Sequence, residues 1–327
     1  MVQKTVFLSR IFPKLATQLL EGAGFKVISW DKEYPMPYEQ LTKAVKDCDA
    51  LFCTLTDKID SAFLNTCSHL DIITQFAVGY DNIDINEATK LKIPIGYAPN
   101  AMTEATADVA FGLMIATARK MFFMNQKIKD GKWSHFDPIG HLGLELKGKT
   151  LGILGLGRIG MAMAKRCKGA YDMEILYHNR SVNKRAEKEL GAGFVDFDTL
   201  VSQSDVISVH CALTPETQGI FNKVVFKRMK PSSLFINTAR GGVHNEKDLI
   251  DALNKGNIWG AGLDVTNPEP MKPNNPLLLM ENVCVLPHIG SATITARNEM
   301  ARMGARNIIS FYEKGNVPNI VNPDVLK

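Results

Sequence analysis

The sequence predicts an α/β protein of two domains with parallel sheets, and three observations carry this prediction. The chain has 327 residues, which favours two domains because one domain usually takes about 100 to 200 residues. Short runs rich in β-branched and aromatic residues alternate with helical patterns from end to end, as in chains that form parallel sheets. The strand candidates also outnumber the strands of one open sheet of ordinary size.

The predicted elements follow one another in a regular order. Helical patterns in KLATQLLEGA and YEQLTKAVKDC lie among the first strand candidates, KTVFLS, FKVISW, ALFCTL, IITQFA and IPIGYA. Residues 104–129 predict one long amphipathic helix, and Gly131 begins a loop that we expect to act as a hinge. The later strand candidates are LGILG, EILYH, VISVH, SLFIN, GAGLDV and VCVLPH. A helix is predicted from Ile294 to about Lys314, followed by a tail that we expect to pack on the N-terminal domain.

Composition and charge exclude several classes of protein. The hydrophobic fraction of 45% and the charged fraction of 22% are those of globular proteins, unlike disordered, fibrous or membrane chains. Lys and Arg exceed Asp and Glu by 38 − 34 = 4, and no run of like charges accompanies this small excess. Neither a nucleic-acid nor a membrane partner is therefore predicted.

Cysteine and histidine usage gives further expectations. The six cysteines form no CxxC pair, which predicts reduced thiols that pack as small apolar side chains. The N-terminus shows no apolar stretch of signal-peptide length, so a cytoplasmic location is expected. The histidines show no spacing typical of metal ligands, and no metal is predicted.

The segment from Leu151 to Gly160 reads LGILGLGRIG, a strand pattern that runs into GxGxxG and then a helical pattern. In such a loop Gly155 permits a tight turn, Gly157 lets the backbone approach a pyrophosphate, and Gly160 allows close helix packing. The helix N-terminus adds N–H donors and the positive end of the helix dipole. Strand, glycine loop and helix together predict a dinucleotide site, with a purely structural turn as the alternative.

The residues after the strand candidate EILYH predict which dinucleotide binds. An NAD site usually places Asp or Glu about 20 residues after the glycine motif, where it accepts hydrogen bonds from the ribose. Here the strand ends in His178, Asn179, Arg180 and Ser181, without a carboxylate. Arg180 can pair with a 2′-phosphate through two hydrogen bonds, and Asn179 and Ser181 can donate to it. NADPH is therefore the predicted preferred cofactor and NADH the second; a solvated basic turn is the alternative.

Polar residues also follow the later strand candidates, at the sheet edge where ligands bind in open parallel sheets. They include Arg240, Asp264, Glu269 and His288. A guanidinium can bind a carboxylate through two hydrogen bonds, a histidine can move a proton, and a carboxylate can orient that histidine. Together they predict a site for a carbonyl acid. Taken singly, Arg240 has an alternative as a loop cap, Glu269 as a solvated turn residue and His288 as a core histidine.

The motifs GLGRIG, NTARGG, LDVTNPEP and LPHIGSAT, in this order and spacing, resemble the D-2-hydroxyacid dehydrogenase family over essentially the whole chain. LDVTNPEP, LPHIGSAT and the acid-free turn NRS are most similar to those of glyoxylate/hydroxypyruvate reductases. The resemblance implies two Rossmann-like or flavodoxin-like domains with the active site in the cleft between them. Residues 1–100 and 290–327 would form the substrate domain, and residues 101–289 the dinucleotide-binding domain. It also implies a homodimer through the helix at 104–129, which would otherwise pack internally.

The resemblance also implies roles for single residues. Arg240, Glu269 and His288 are the expected catalytic residues, and the N–H groups of Val78 and Gly79 join Arg240 and His288 in binding the substrate. For Gly79 the alternative is a glycine that only permits a turn. Thr106 borders the nicotinamide, with helix packing as its alternative role, and Asp264 holds the nicotinamide side. The predicted cofactor contacts are Thr106, Gly155, Leu156, Gly157, Arg158, Ile159, Gly160, His178, Asn179, Arg180, Ser181, Cys211, Ala212, Thr238, Ala239, Asp264 and Gly290.

The predicted reaction is the reversible, NADPH-dependent reduction of glyoxylate or hydroxypyruvate to the D-2-hydroxy acid. Arg240 anchors the 2-oxo acid, His288 gives a proton to the alkoxide that forms at C2, and Glu269 stabilises the imidazolium. Alternatives within the family act on 2-ketogluconate, phosphoglycerate, lactate or bulkier oxo acids. More distant alternatives are an enzyme that oxidises formate or phosphite, and a dinucleotide-sensing binding module similar to a corepressor.

Overall fold

The structure is a computed structural model that describes residues 3–327; Met1 and Val2, which belong to the predicted substrate domain, lie outside the described residues. The chain divides into two compact units. The terminal unit consists of Met1–Met102 and Ala292–Lys327, and the central unit consists of Thr103–Ser291. Each contains one sheet of parallel strands, which confirms the predicted α/β class.

The sheet of the terminal unit has five strands in the order β2-β1-β3-β4-β5. The strands are β1 (Thr5–Leu8), β2 (Lys26–Ser29), β3 (Ala50–Cys53), β4 (Ile72–Gln75) and β5 (Ile95–Gly96). The connecting helices are α1 (Lys14–Gly22), α2 (Tyr38–Ala44), α3 (Ser61–Thr66) and α4 (Ile85–Lys90). Every residue of β3 and β4 is buried, as expected for interior strands covered on both faces.

The central unit begins with α5 (Thr103–Ala118) and α6 (Met121–Lys129), so the prediction of one helix over 104–129 is wrong. The helix breaks at Lys120, whose φ of 52° is left-handed. A tertiary contact explains the break, because the N–H of Leu144 donates to the carbonyl of Ala118. The segment at Gly143 also lies close to this carbonyl, since a Cβ on Gly143 would lie 2.3 Å from its oxygen. Lys120 Nζ also pairs with Glu281 at 2.7 Å.

The sheet of the central unit has seven strands in the order β12-β11-β10-β9-β6-β7-β8. The strands are β6 (Thr150–Leu154), β7 (Glu174–His178), β8 (Gly193–Phe194), β9 (Val206–Val209), β10 (Leu234–Asn237), β11 (Gly260–Leu263) and β12 (Val283–Val285). Between them lie α7 (Arg158–Tyr171), α8 (Lys184–Leu190), α9 (Phe197–Gln203), α10 (Lys223–Phe226) and α11 (Glu246–Asn254). The strand order reverses at β6, and such a reversal opens a crevice at the carboxyl ends of the strands.

The C-terminal segment returns to the terminal unit through α12 (Ile294–Lys314). This helix crosses the sheet at Gly304, where a Cβ would meet the Phe52 ring at 2.1 Å. After the helix, the N–H of Val321 donates to the carbonyl of Ile95 at 2.8 Å, and Asn322 Oδ1 accepts from the N–H of Ile95 at 2.8 Å. Among residues 3–327, no helix combines the length and apolar character needed to cross a bilayer.

Candidate active site

The glycine loop follows β6 and is shaped by its contact with the end of β9. Gly155 has a φ of +93°, and a Cβ there would lie 2.6 Å from the backbone nitrogen of Cys211. A Cβ on Gly160 would lie 2.8 Å from the carbonyl oxygen of Gly155. Both positions therefore require glycine for reasons inside the protein.

Gly157 differs from these two glycines. A Cβ there would meet no atom within 4 Å, so the folded protein alone does not require glycine. Gly157 caps the N-terminus of α7, where N–H groups and the positive helix end favour an anion. Around it, Leu156 is buried, Ile159 is half-buried and Arg158 is exposed. The open space beside Gly157 fits the close approach of a pyrophosphate.

Of the four predicted cofactor contacts at the end of β7, two side chains bond to the protein and two are exposed. His178 Nδ1 donates to the carbonyl of Val195 at 2.9 Å, and Asn179 Oδ1 accepts from the N–H of Leu156 at 2.6 Å. The structure thus uses both residues to hold the turn. Arg180 and Ser181 are exposed.

The positive charge of Arg180 acts on Glu216, which lies in the loop after β9. The pKa of Glu216 is held below its usual range by a hydrogen bond with Thr214 and, more weakly, by the positive charge of Arg180. Arg180 therefore has a carboxylate in its surroundings that would compete with an anionic ligand.

The ends of β9 and β10 carry four predicted cofactor contacts, Cys211, Ala212, Thr238 and Ala239. Burial raises the pKa of the Cys211 thiol to about 11, which keeps it neutral. Thr238 is 8% exposed, and its Oγ1 is buried without a hydrogen-bond partner among residues 3–327. A buried hydroxyl without a partner fits a site that a polar ligand completes.

Asp264, at the end of β11, organises the loop that follows β12. Its two carboxylate oxygens accept from the N–H groups of Ile289 and Gly290, both at 2.8 Å. Its carbonyl accepts from the N–H of His288 at 2.9 Å. Burial raises the pKa of Asp264, and the two N–H groups partly oppose that rise. These contacts hold His288 at a left-handed φ of 53°, a conformation that costs energy for a residue with a side chain.

Thr106 lies in the first turn of α5 and contacts the same loop. Its Oγ1 donates to the carbonyl of Gly290 at 3.1 Å. Gly290 is confined between Asp264 and Thr106, since a Cβ would lie 3.0 Å from Asp264 Oδ2 and 3.3 Å from Thr106 Cγ2. Thr106 therefore has a packing role in the structure, and its contact with a nicotinamide stays a prediction.

The side chains of His288 and Glu269 form a pair. His288 Nδ1 and Glu269 Oε1 share a short hydrogen bond. Because Nδ1 faces the carboxylate, Nε2 is the ring nitrogen left to exchange a proton with a ligand. The side chain of His288 is 32% exposed, which gives a ligand access to the ring.

The pKa of Glu269 is lowered by its neighbours. Burial alone would raise it, but the hydrogen bond and charge of His288, the N–H of Thr266 and the charge of Arg240 outweigh burial. Glu269 therefore stays ionised at pH values where an ordinary glutamate would begin to be protonated, and it takes up a proton only when the pH falls to its lowered pKa. At neutral pH the carboxylate is available to stabilise a protonated His288.

Arg240 lies in the loop after β10. Its backbone is extended, with φ −144° and ψ 139°. Its Nη1 donates to the carbonyl of Ala239 at 2.8 Å. This hydrogen bond ties the guanidinium to the backbone of its own loop.

The predicted substrate loop lies in the terminal unit, after β4. Val78 and Gly79 are half-buried. The carbonyl of Gly79 accepts from Gln75 Nε2 at 3.2 Å, and Gln75 Nε2 also donates to Asn82 Oδ1 at 2.8 Å. Asn82 Nδ2 in turn donates to the carbonyl of Asp57 at 2.7 Å. A partly buried amide network thus holds the loop whose N–H groups are predicted to bind a carboxylate.

Comparisons with known proteins decide the family. The sequence model of the NAD-binding domain of D-isomer specific 2-hydroxyacid dehydrogenases matches residues 111–290, more than half of the chain. The chain belongs to the D-isomer specific 2-hydroxyacid dehydrogenase family.

Full-length relatives agree with this assignment. The dehydrogenase is 44% identical to the glyoxylate reductase of Thermococcus litoralis over 98% of this chain and 97% of that one. A protein from Thermus thermophilus has a crystal structure that matches with a TM-score of 0.90 at 36% identity, over 97% of this chain and 99% of that one. The NADPH-dependent glyoxylate/hydroxypyruvate reductase of Sinorhizobium meliloti, solved in complex with NADP and malonate, matches with a TM-score of 0.85 at 28% identity over 98% of both chains.

Several polar residues of the dehydrogenase support the predicted contact residues and were not identified from the sequence. Gln75 and Asn82 hold the loop of Val78 and Gly79. The one signal was a glutamine inside the apolar strand candidate IITQFA. Arg297, in the first turn of α12, was also missed; its guanidinium lies 5.8 Å from the centre of the Phe76 ring, and burial lowers its pKa.

Two alanine variants of the glycine loop separate its structural role from its binding role. Gly157→Ala adds a methyl group to open space, so we expect an unchanged melting temperature without cofactor and a Kd for NAD(P)H raised about tenfold or more. Gly155→Ala should lower the melting temperature as well, because its methyl group would lie 2.6 Å from the Cys211 nitrogen. Thermal unfolding and fluorescence titration measure the two effects. Tight NAD(P)H binding by Gly157→Ala would rule out the assigned approach of the pyrophosphate.

Proposed function

We propose that this dehydrogenase reduces small 2-oxo acids, glyoxylate and hydroxypyruvate, to D-2-hydroxy acids with NADPH as the preferred cofactor. The observation that carries the proposal is the His288–Glu269 hydrogen bond, which leaves His288 Nε2 to act as the acid. Support for the substrates comes from relatives named glyoxylate reductase and from the related reductase solved with NADP and malonate.

The residues divide the reaction between them. Arg240 binds the carboxylate of the oxo acid and polarises its C2 carbonyl, and the N–H groups of Val78 and Gly79 bind the same carboxylate. When bound, the reduced nicotinamide supplies the hydride that C2 receives. His288 donates its Nε2 proton to the oxygen at C2, and the Glu269 carboxylate stabilises the imidazolium before that transfer.

The two units divide the binding in the same proposal. The central unit, with Gly157 and Thr238, is the dinucleotide-binding domain, and Asp264 and Gly290 border the nicotinamide side. The terminal unit, with the loop of Val78 and Gly79, is the substrate domain. The open space beside Gly157 and the unpartnered Thr238 Oγ1 support the first assignment.

We also propose that the enzyme is a homodimer. Exposed apolar side chains concentrate on α6 and the segment after it, where Trp133 is 70%, Phe136 86% and Ile139 83% exposed. Such a concentration on one segment is typical of a surface that a protein partner covers. Sedimentation equilibrium measures the mass in solution, and the mass of a single chain at micromolar concentration would contradict the dimer.

The role of His288 is tested by His288→Ala. We expect the turnover of glyoxylate and hydroxypyruvate to fall by about 10²- to 10⁴-fold, the usual contribution of a general acid. NADPH binding should stay within about twofold of wild type, because the dinucleotide site keeps Gly157 and Arg180. Steady-state kinetics and fluorescence titration give the two values. If His288→Ala kept most of its kcat, another group would have to be the acid.

Cofactor preference is tested at Arg180. We expect wild type to show a higher kcat/KM with NADPH than with NADH, and Arg180→Ser to lower that ratio about tenfold or more, since a charged hydrogen bond to the 2′-phosphate is lost. Glu216→Gln is the matched control: it removes the carboxylate near Arg180 and should raise the ratio. A wild-type ratio below one, or an unchanged ratio in Arg180→Ser, would refute the preference.

A further inference from the structure

The loop that carries Arg240 is held by one buried amide. Asn237, the last residue of β10, is fully buried. Its Oδ1 accepts from the N–H of Ala239, and its Nδ2 donates to the carbonyl of Arg240, both at 2.9 Å. The carbonyl of Ala239 in turn accepts from Arg240 Nη1. The Asn237 amide therefore holds the backbone of Ala239 and Arg240, from which the Arg240 side chain extends.

A second buried side chain contacts this amide. His244 is 1% exposed, and its Nδ1 lies 3.1 Å from Asn237 Nδ2. Because Asn237 Oδ1 is already fixed on the N–H of Ala239, the atom that faces His244 is the amide nitrogen, which can only donate. His244 Nδ1 is therefore an acceptor, and the ring proton is on Nε2.

The charge state of His244 agrees with this geometry. Burial lowers the pKa of His244 to about 4, so the ring is neutral at physiological pH. Protonation of Nδ1 would place two donors against each other. The neutral ring with a free Nδ1 lone pair is the form that the Asn237 amide selects.

Packing alone does not explain a histidine at this position. The ring packs edge-on against Phe235, with centroids 5.7 Å apart, and a phenyl ring could make the same contact. The imidazole instead leaves Nε2 buried without a hydrogen-bond partner among residues 3–327, which is unfavourable. The contact from Asn237 Nδ2 to Nδ1 is one that the imidazole makes and a phenyl ring could not.

The rest of the loop has little freedom. A Cβ on Gly241 would lie 1.9 Å from the carbonyl oxygen of Thr266, so the loop lies directly on that backbone. The carbonyl of Asn237 also accepts from the N–H of Asp264 at 2.9 Å. A half-turn of the Asn237 side chain would exchange its oxygen and nitrogen and lose both hydrogen bonds to the loop backbone. A turned amide would place its oxygen against the carbonyl of Arg240.

We propose that His244 is a positioning residue for Arg240: its Nδ1 is a third hydrogen-bond partner of the Asn237 amide, strengthens the orientation that the loop gives this amide, and so helps to set where the guanidinium meets the 2-oxo acid. This inference rests on the function proposed above for Arg240. His244 touches neither substrate nor cofactor in this role. It acts through two hydrogen bonds and one backbone segment.

His244→Phe and His244→Asn test the proposal as a pair. His244→Phe keeps a ring against Phe235 but removes the acceptor, and we expect kcat/KM for glyoxylate and hydroxypyruvate to fall about tenfold, mostly through KM, with the Kd for NADPH unchanged. His244→Asn can place its Oδ1 where Nδ1 lay and should stay within about twofold of wild type. Wild-type kinetics in His244→Phe, or equal losses in both variants, would overturn the proposal.

A double-mutant cycle with Arg240→Ala shows whether the effect passes through the guanidinium. We expect His244→Phe to cause no further loss of kcat/KM when Arg240 is already alanine. Additive losses would reject His244 as a positioning residue while leaving the role of Arg240 intact. An Arg240→Ala variant that reduces glyoxylate as wild type does would instead reject the proposed role of Arg240, and the inference with it.

A control variant separates positioning from general destabilisation. Phe226 packs on Phe235 in the same aromatic cluster, with ring centroids 5.4 Å apart, and Phe226→Leu perturbs that cluster without removing a hydrogen bond. It should lower the melting temperature and keep the kcat/KM of the folded enzyme. If Phe226→Leu loses as much oxo-acid kcat/KM as His244→Phe, the effect is general and the proposal fails.

A measurement on wild type needs no variant to fold. Nitrogen-15 NMR of the histidine-labelled enzyme reports which ring nitrogen carries the proton. We expect His244 to show a protonated Nε2 and an unprotonated Nδ1 at pH 7. A proton on Nδ1 would overturn the proposal, because that atom could no longer accept from Asn237.

Discussion

Two backbone N–H groups, those of Ile289 and Gly290, donate to the buried carboxylate of Asp264 and tie the loop after β12 to the end of β11. The position of His288 depends on this contact. A residue with a side chain adopts a left-handed φ only where its surroundings leave no alternative, and here the backbone on both sides is held. Thr106 closes the same loop from α5 through the carbonyl of Gly290. The Asp264 carboxylate thus orients the His288 ring through the backbone, without contacting the ring itself.

The fold and the edge of the site could be predicted from the sequence because their signals are local. Alternating apolar runs and helical patterns predict parallel sheets, and polar residues after a buried strand lie at the ligand-binding edge. Arg240, Glu269 and His288 follow from this reasoning, and the structure places all three after strands of the central sheet. The predicted family is confirmed by the comparisons, whereas the preference for NADPH stays a prediction.

The contacts behind the site could not be predicted, because they join residues distant in sequence or hidden in apolar context. No sequence pattern near Lys120 predicts that the N–H of Leu144 donates to a carbonyl of α5 and that the helix ends there. His178 and Asn179 have the side chains of a ligand-binding turn, yet both bond to the protein itself. Buried amides such as Gln75 have strand-like neighbours, so only the folded chain shows what they hold.

The passage of α12 over Phe52 has a consequence for biosynthesis. The sheet of the terminal unit precedes the central unit in the chain, whereas the helix that covers it at Gly304 and the tail that pairs with Ile95 follow the central unit. While the ribosome translates the central unit, the nascent sheet has an apolar face without its helix. The central unit, by contrast, is one continuous stretch of chain and can fold as soon as it emerges. The terminal unit can therefore complete its packing only after α12 and the tail have emerged.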